Sequence, residues 1–262
     1  MDIKCFLGED NEKPLDRLIE GGGAVSIFPT IACIGDSLSS GEFEVLNEAG
    51  EKRYLDYYEY SWGAHIGRFT GSRMHIFARG GMTAKEFIEV FGNKVAAFKP
   101  ENAANAYIIA LGVNDLLNKR CEVGTFDDIN MDDYTKNAHT FIGSYAAIIQ
   151  KCKALQPEAK FFIVNFPSVP DANPERAEST VKGNEIFEKM CQIFDNTYLI
   201  NLNEYAPKYD ADFKKKFFLN GHMNPLGYLL TARMIVSYID YIIRKNPTDF
   251  IYSGLMGADY VK

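Results

Sequence analysis

Five short apolar runs rich in β-branched and aromatic residues, separated by longer stretches with helical periodicity, constrain this chain more than any other feature. The runs are the end of SIFPTIACIG, then RMHIFA, AYIIALG, KFFIVNF and TYLINL, with helical patterns near residues 57–70, 83–98, 132–155 and 174–194. Parallel strands need crossover connections, and each crossover helix buries one face of the sheet. The alternation therefore predicts an α/β fold, a three-layer α/β/α single domain over residues 1–262 around a parallel sheet of five strands. Its core runs from about 28 to 245, and GEFEVLNEAGEKRYLD, about 41–56, is expected to be an irregular excursion at the rim.

Composition narrows the classes of partner. A net charge of −7 offers no basic surface to a polyanion, which argues against nucleic acid. The most lipophilic late stretch, GYLLTARMIVSYIDYII, is broken by Arg233 and Asp240 and lacks the ~20 uninterrupted apolar residues that cross a bilayer, so it reads as a buried helix. MDIKCFLGED has no basic segment followed by an apolar run and a cleavage site, which leads to the expectation of a cytoplasmic protein. Cys5, Cys33, Cys121, Cys152 and Cys191 are scattered without a CxxC, so reduced thiols are expected rather than a disulfide scaffold or a zinc site. The acidic DDINMDDY lacks the ligand alternation and central glycine of a calcium loop. Asn130 as a helix cap with Asp133 in the first turn accounts for it, and no metal or other cofactor is expected.

In open parallel sheets the loops at the carboxyl ends of the strands converge on a ligand crevice, and four loops there carry chemistry. IGDSLSS places Ser37 after the first strand, where it is either a turn residue or a nucleophile, with Asp36 before it. ARGGMT follows the second strand, and Gly81 lets its backbone N–H approach a substrate oxygen closely. ALGVNDLL follows the third; the Asn114 amide either shapes the turn or donates to an oxyanion, and Asp115 is placed to hold the loop. In FFLNGHMNPLGY, Asn224 caps a helix that starts at Pro225, leaving His222 in the loop ahead of it as the natural base. His65 and His139 fall inside helical patterns and His75 inside a strand, which makes them packing or surface residues.

Gly-Asp-Ser-Leu after strand one, Gly after strand two, Gly-x-Asn-Asp after strand three and a histidine near the C-terminus resemble, in order and spacing from residue 31 to about 230, the SGNH family of GDSL-type esterases and lipases. The resemblance implies a flavodoxin-like, five-stranded sheet and a serine hydrolase. In that scheme Ser37 is the nucleophile, His222 the base, and the Ser37 N–H, Gly81 and Asn114 the oxyanion hole, with Asp36 and Asp115 supporting. A serine hydroxyl is too weak an acid to attack an ester unaided, which is why a base and fixed donors are needed together.

One departure stands out. The family usually carries an aspartate three residues before the histidine, and here that position is Leu219. Either a main-chain carbonyl or a polar group such as Asn220 orients His222, giving a Ser-His dyad, or an acid from elsewhere in the chain does so; the dyad is the preferred expectation. The substrate is expected to be a small-molecule ester with a short acyl group, such as O-acetyl on a carbohydrate. A lipase or lysophospholipase-type acyl hydrolase and a catalytically silent binding protein are the alternatives. Among YLDYYEYSWGAHIGRF, Tyr54, Tyr57 or Trp62 are candidates to stack on substrate, although Tyr58, Trp62, Ile66 and Phe69 follow the spacing of a packed helix face.

Overall fold

The computed structural model describes residues 2–256. Its strands are β1 (Thr30–Gly35), β2 (Glu42–Leu46), β3 (Lys52–Asp56), β4 (Arg73–Ala78), β5 (Ala106–Ala110), β6 (Lys160–Val164) and β7 (Thr197–Ile200). Five of them form one parallel sheet in the order β4-β1-β5-β6-β7, the flavodoxin-like arrangement in which the first strand lies between the second and third strands of the sheet. The long helices are α1 (Trp62–Thr70), α2 (Phe141–Leu155), α3 (Pro174–Ile193) and α4 (Pro225–Lys245).

Alternation along each strand divides the core into two layers. Ala32, Ile34, Tyr107, Ile109, Phe161 and Ile163 point to one face and pack with Phe141, Tyr145 and Phe187 of α2 and α3. Ile31, Cys33, Ile108 and Phe162 point to the other and pack with Trp62 and Ile66 of α1 and Ile235 and Ile239 of α4. The three central strands β1, β5 and β6 are buried on both faces and show as continuous apolar runs in the sequence, whereas the edge strands β4 and β7 are partly exposed.

Helix α4 is long and apolar enough to cross a membrane, yet most of it is buried in the protein. Its interior charges are paired: Arg244 Nε lies 2.7 Å from Asp240 Oδ2, and its two other nitrogens meet Glu12 Oε1 and Oε2 at 2.8 Å each. Asp240 Oδ1 also accepts the Ala24 N–H at 2.8 Å, so this network pins the N-terminal segment to α4.

The helix expected over 132–155 begins only at 141, where Thr140 Oγ1 caps it by accepting the Gly143 N–H at 3.2 Å. Residues 134–136 form a separate short turn capped by Asp133, and Asn130 Oδ1 accepts the N–H groups of Asp132 and Asp133. His139 accordingly precedes α2 instead of lying within it, and it pairs with Glu89. The rim segment differs more. Residues 42–56 are not irregular but an antiparallel hairpin, β2 against β3, closed by Asn47, whose Oδ1 accepts the N–H groups of Ala49 and Glu51.

Candidate active site

Strand register brings three of the chemical loops together. Gly35 at the end of β1 is level with Ala78 of β4 on one side and Ala110 of β5 on the other. The loops carrying Ser37, Gly81 and Asn114 therefore leave the sheet side by side, next to the β1/β5 boundary where the strand order reverses and such folds bind ligands. Ser37, Gly81, Asn114 and His222 all line one open cleft of ≈ 900 Å³.

Ser37 opens a one-turn helix, Ser37–Ser40, held by Asp36: its Oδ1 accepts the Leu38 N–H at 3.1 Å and its carbonyl accepts those of Ser39 and Ser40 at 3.0 Å. The first N–H of a helical turn has no partner within the helix, and the Ser37 N–H is left available. Burial pushes the Asp36 carboxyl up to about 7, against the bond from Leu38.

Gly81 has φ +72°, a conformation that a side chain disfavours, and its carbonyl accepts Arg120 Nη1 at 3.2 Å. Asn114 sits in a wide turn, Val113–Leu117, with its amide fixed at both ends: Oδ1 accepts Asn118 Nδ2 at 3.1 Å and Nδ2 donates to the Met82 carbonyl at 3.0 Å. An amide nitrogen carries two hydrogens, so one remains for a ligand. Asp115 Oδ1 accepts the Ala84 N–H at 2.9 Å and ties this loop to the one after β4; burial raises its carboxyl to about 6.

His222 lies in the short pairing of 218–219 with 222–223, just before Asn224 caps α4 by accepting the Gly227 N–H at 2.9 Å. Its surroundings depart from the expected dyad. Nε2 is 3.0 Å from Glu42 Oε1 and Nδ1 is 3.6 Å from Glu44 Oε2, so two carboxylates from the hairpin bracket the ring. Asn220 is turned away, donating its amide to the Glu44 carbonyl at 3.1 Å, and Leu219 is exposed. Among the described residues no hydrogen bond joins the Ser37 hydroxyl to the imidazole, because Nε2 faces Glu42.

The hairpin delivers both acids by strand alternation. Glu42 and Glu44 lie on one face of β2, while Phe43 and Val45 lie on the other, in a small core with Tyr228 and Met223. Phe43 meets Tyr228 edge to face at 5.6 Å, and the Tyr228 hydroxyl donates to the Glu42 carbonyl. Burial raises the Glu42 carboxyl, His222 pulls it back, and Asp56 and Glu44 add to the rise. Glu44 is held below the usual carboxylate range by Lys52 Nζ at 2.6 Å, with the Gly221 N–H also bound to it.

Neither glutamate was a candidate from the sequence. The signal was present in the period-two pattern of EFEV and in the turn-forming NEAG after it. Of the aromatic candidates, Tyr54 lines the cleft with its ring 5.8 Å from that of His222, whereas Trp62 is buried in the core and Tyr57 packs on Phe43. A small apolar chamber of ≈ 80 Å³ adjoins the cleft and shares Asp36, Leu38, Val113 and Phe166 with it.

A doubly wound sheet with this strand order and these loops is the fold of the SGNH hydrolases. Residues 33–230 match the model of the GDSL-like Lipase/Acylhydrolase family, and the chain belongs to that family. Among solved structures it shares its fold with a family two carbohydrate esterase from Clostridium thermocellum, solved in complex with cellohexaose (TM-score 0.53, 16% identity, covering 91% of this chain and 66% of that one). It is similar likewise to a carbohydrate esterase family 2 enzyme with a carbohydrate binding domain from Corynascus thermopiles (0.53, 14%, 87% and 68%). A possible lipase from Chitinophaga pinensis is a third (0.53, 16%, 83% and 98%). No curated protein matches the chain.

Proposed function

We propose that the protein is a serine esterase that removes short acyl groups, such as O-acetyl, from carbohydrates or small molecules by way of an acyl-enzyme. The observation that carries this reading is the convergence of Ser37, Gly81, Asn114 and His222 on one cleft. Ser37 Oγ attacks the ester carbonyl while His222 Nε2 takes its proton, once Glu42 has yielded that nitrogen. The oxygen that becomes negative is held by the Ser37 N–H, the Gly81 N–H and the free hydrogen of Asn114 Nδ2. As the tetrahedral intermediate collapses, the C–O bond to the alcohol breaks and His222 returns the proton to it. Water then repeats the sequence on the acyl-serine, releasing the acid and restoring the hydroxyl.

The small size of the apolar chamber that adjoins the cleft at Asp36 and Leu38, the neighbours of Ser37, favours a short acyl chain. The exposed Tyr54 ring at the cleft edge, and the two carbohydrate esterases of the same fold, favour a sugar as the alcohol. Hydrolysis of p-nitrophenyl acetate by the wild type and by Ser37→Ala tests the reading. A Ser37-dependent rate supports it; equal background rates for both would leave a binding protein. Much faster cleavage of long-chain than of acetyl esters would move the assignment to a lipase.

A further inference from the structure

We propose that Glu44, delivered by the β2–β3 hairpin, takes the place of the aspartate absent at position 219 and holds His222 by its Nδ1 edge, so that Nε2 is the nitrogen presented to Ser37. The proposal rests on the serine hydrolase reading above and assigns a positioning role within that site.

Five observations converge on Glu44. Its side chain is only 3% exposed, although it lies on a rim hairpin, and its Oε2 is 3.6 Å from His222 Nδ1. The same oxygen accepts the N–H of Gly221, the residue joined to His222, at 3.0 Å. The other oxygen meets Lys52 Nζ at 2.6 Å, so the carboxylate is clamped in orientation with one edge toward the ring. Finally, a Cβ on Gly221 would lie 2.6 Å from Glu44 Oε2, so the absence of a side chain there is what lets the carboxylate reach the imidazole.

A separation of 3.6 Å is an ion-pair distance rather than a hydrogen bond, and His222 Nδ1 is buried without a hydrogen-bond partner. Such contacts in unliganded sites commonly shorten when substrate binds. An acid on Nδ1–H leaves the lone pair on Nε2, the tautomer a general base needs. Glu42 is a poorer candidate for this role, because it sits on Nε2, the nitrogen the reaction uses. Asn220, the neutral alternative, is committed to the Glu44 carbonyl.

The test compares wild type, Glu44→Gln and Glu42→Gln, using p-nitrophenyl acetate turnover and the imidazole nitrogen resonances of ¹⁵N-histidine-labelled protein. His222 is assigned among the four histidines with His222→Gln. Glutamine keeps an oxygen for the Gly221 N–H, and matched unfolding transitions establish that each variant folds. We expect Glu44→Gln to lower kcat by about 10²–10⁴-fold while KM stays within about threefold, because orientation rather than binding is lost. We also expect the proton signature of His222 to move away from Nδ1. Wild-type turnover and unchanged His222 resonances in Glu44→Gln would overturn the assignment. So would a comparable loss in Glu42→Gln with none in Glu44→Gln, which would make Glu42 the partner. If the wild type cleaves no ester, the hydrolase reading falls, and the imidazole resonances still decide whether Glu44 holds Nδ1.

Discussion

Gly221 donates its N–H to Glu44 Oε2 at 3.0 Å across 177 residues of sequence, joining the loop that carries the candidate base to the hairpin that follows the candidate nucleophile. Gly221→Ala places a methyl group 2.6 Å from that oxygen. The carboxylate must turn away, and misplacement by about 1 Å of a group that orients a catalytic residue costs up to about 10²-fold in rate. We expect kcat on p-nitrophenyl acetate to fall by that order with little change in the urea unfolding midpoint. An unaltered kcat would mean that the close approach has no part in catalysis.

Asn114 provides a separate test of the proposed oxyanion hole. Its Nδ2 already donates one hydrogen to Met82, so Asn114→Ala removes both a loop tie and the donor assigned to the substrate oxygen in the proposed mechanism. Loss of one such donor costs about 10²–10³ in kcat. Asn114→Asp keeps Oδ1 for Asn118 but replaces the donor with an acceptor, and should be at least as inactive in steady-state assays.

Stability should depend on pH through two buried acids. Burial raises Asp36 to about 7 and Asp115 to about 6, from an ordinary 3.8. Between those values the folded chain holds protons that the unfolded chain has released. Their contribution is therefore full below about pH 4 and is lost as pH rises through 6 and 7, by at most about 1.4 kcal/mol per pH unit for each group. Urea midpoints of wild type between pH 5 and 8 should decline for this reason. Asp36→Asn, which keeps an oxygen for the Leu38 N–H, should flatten the decline; an equally steep one would assign it to other groups.

The Arg244 network tests what holds the N-terminal segment. Arg244→Met leaves the buried Asp240 carboxylate without its cation, while Glu12 keeps Arg17 at 3.4 Å and Lys245 at 3.7 Å, and removing one partner from a buried pair costs about 3–5 kcal/mol. Urea unfolding should register a loss of that size. Adding Asp240→Asn should recover part of it, since the remaining buried charge is then removed.

The sheet was legible because its three central strands are buried on both faces, so that ACIG, AYIIA and KFFIV stand out as apolar runs and the loops after them can be found by position. That Ser37, Gly81 and Asn114 lie in loops leaving the sheet was legible for the same reason, and that His222 lies ahead of the last helix was legible from Asn224 and Pro225. The hairpin was not. Its face toward His222 is Glu42 and Glu44, its opposite face is Phe43 and Val45, and a two-stranded element so rich in acids has the composition of a loop. The proposed partner of His222 was hidden because it comes from a contact between residue 44 and residues 220–222, a relationship that spacing near the histidine does not encode. The late start of α2 was missed because Asn130 and Asp133 serve local turns and the cap that starts the helix is Thr140.

The most direct measurement of the central claim is covalent labelling with a fluorophosphonate, which phosphonylates activated serine hydroxyls, followed by peptide mass spectrometry. One adduct per chain, on Ser37, with loss of esterase activity in step and no labelling of Ser37→Ala or His222→Ala, is the result the account predicts. An active enzyme that remains unlabelled at Ser37, or is labelled at another serine as its activity disappears, would contradict it.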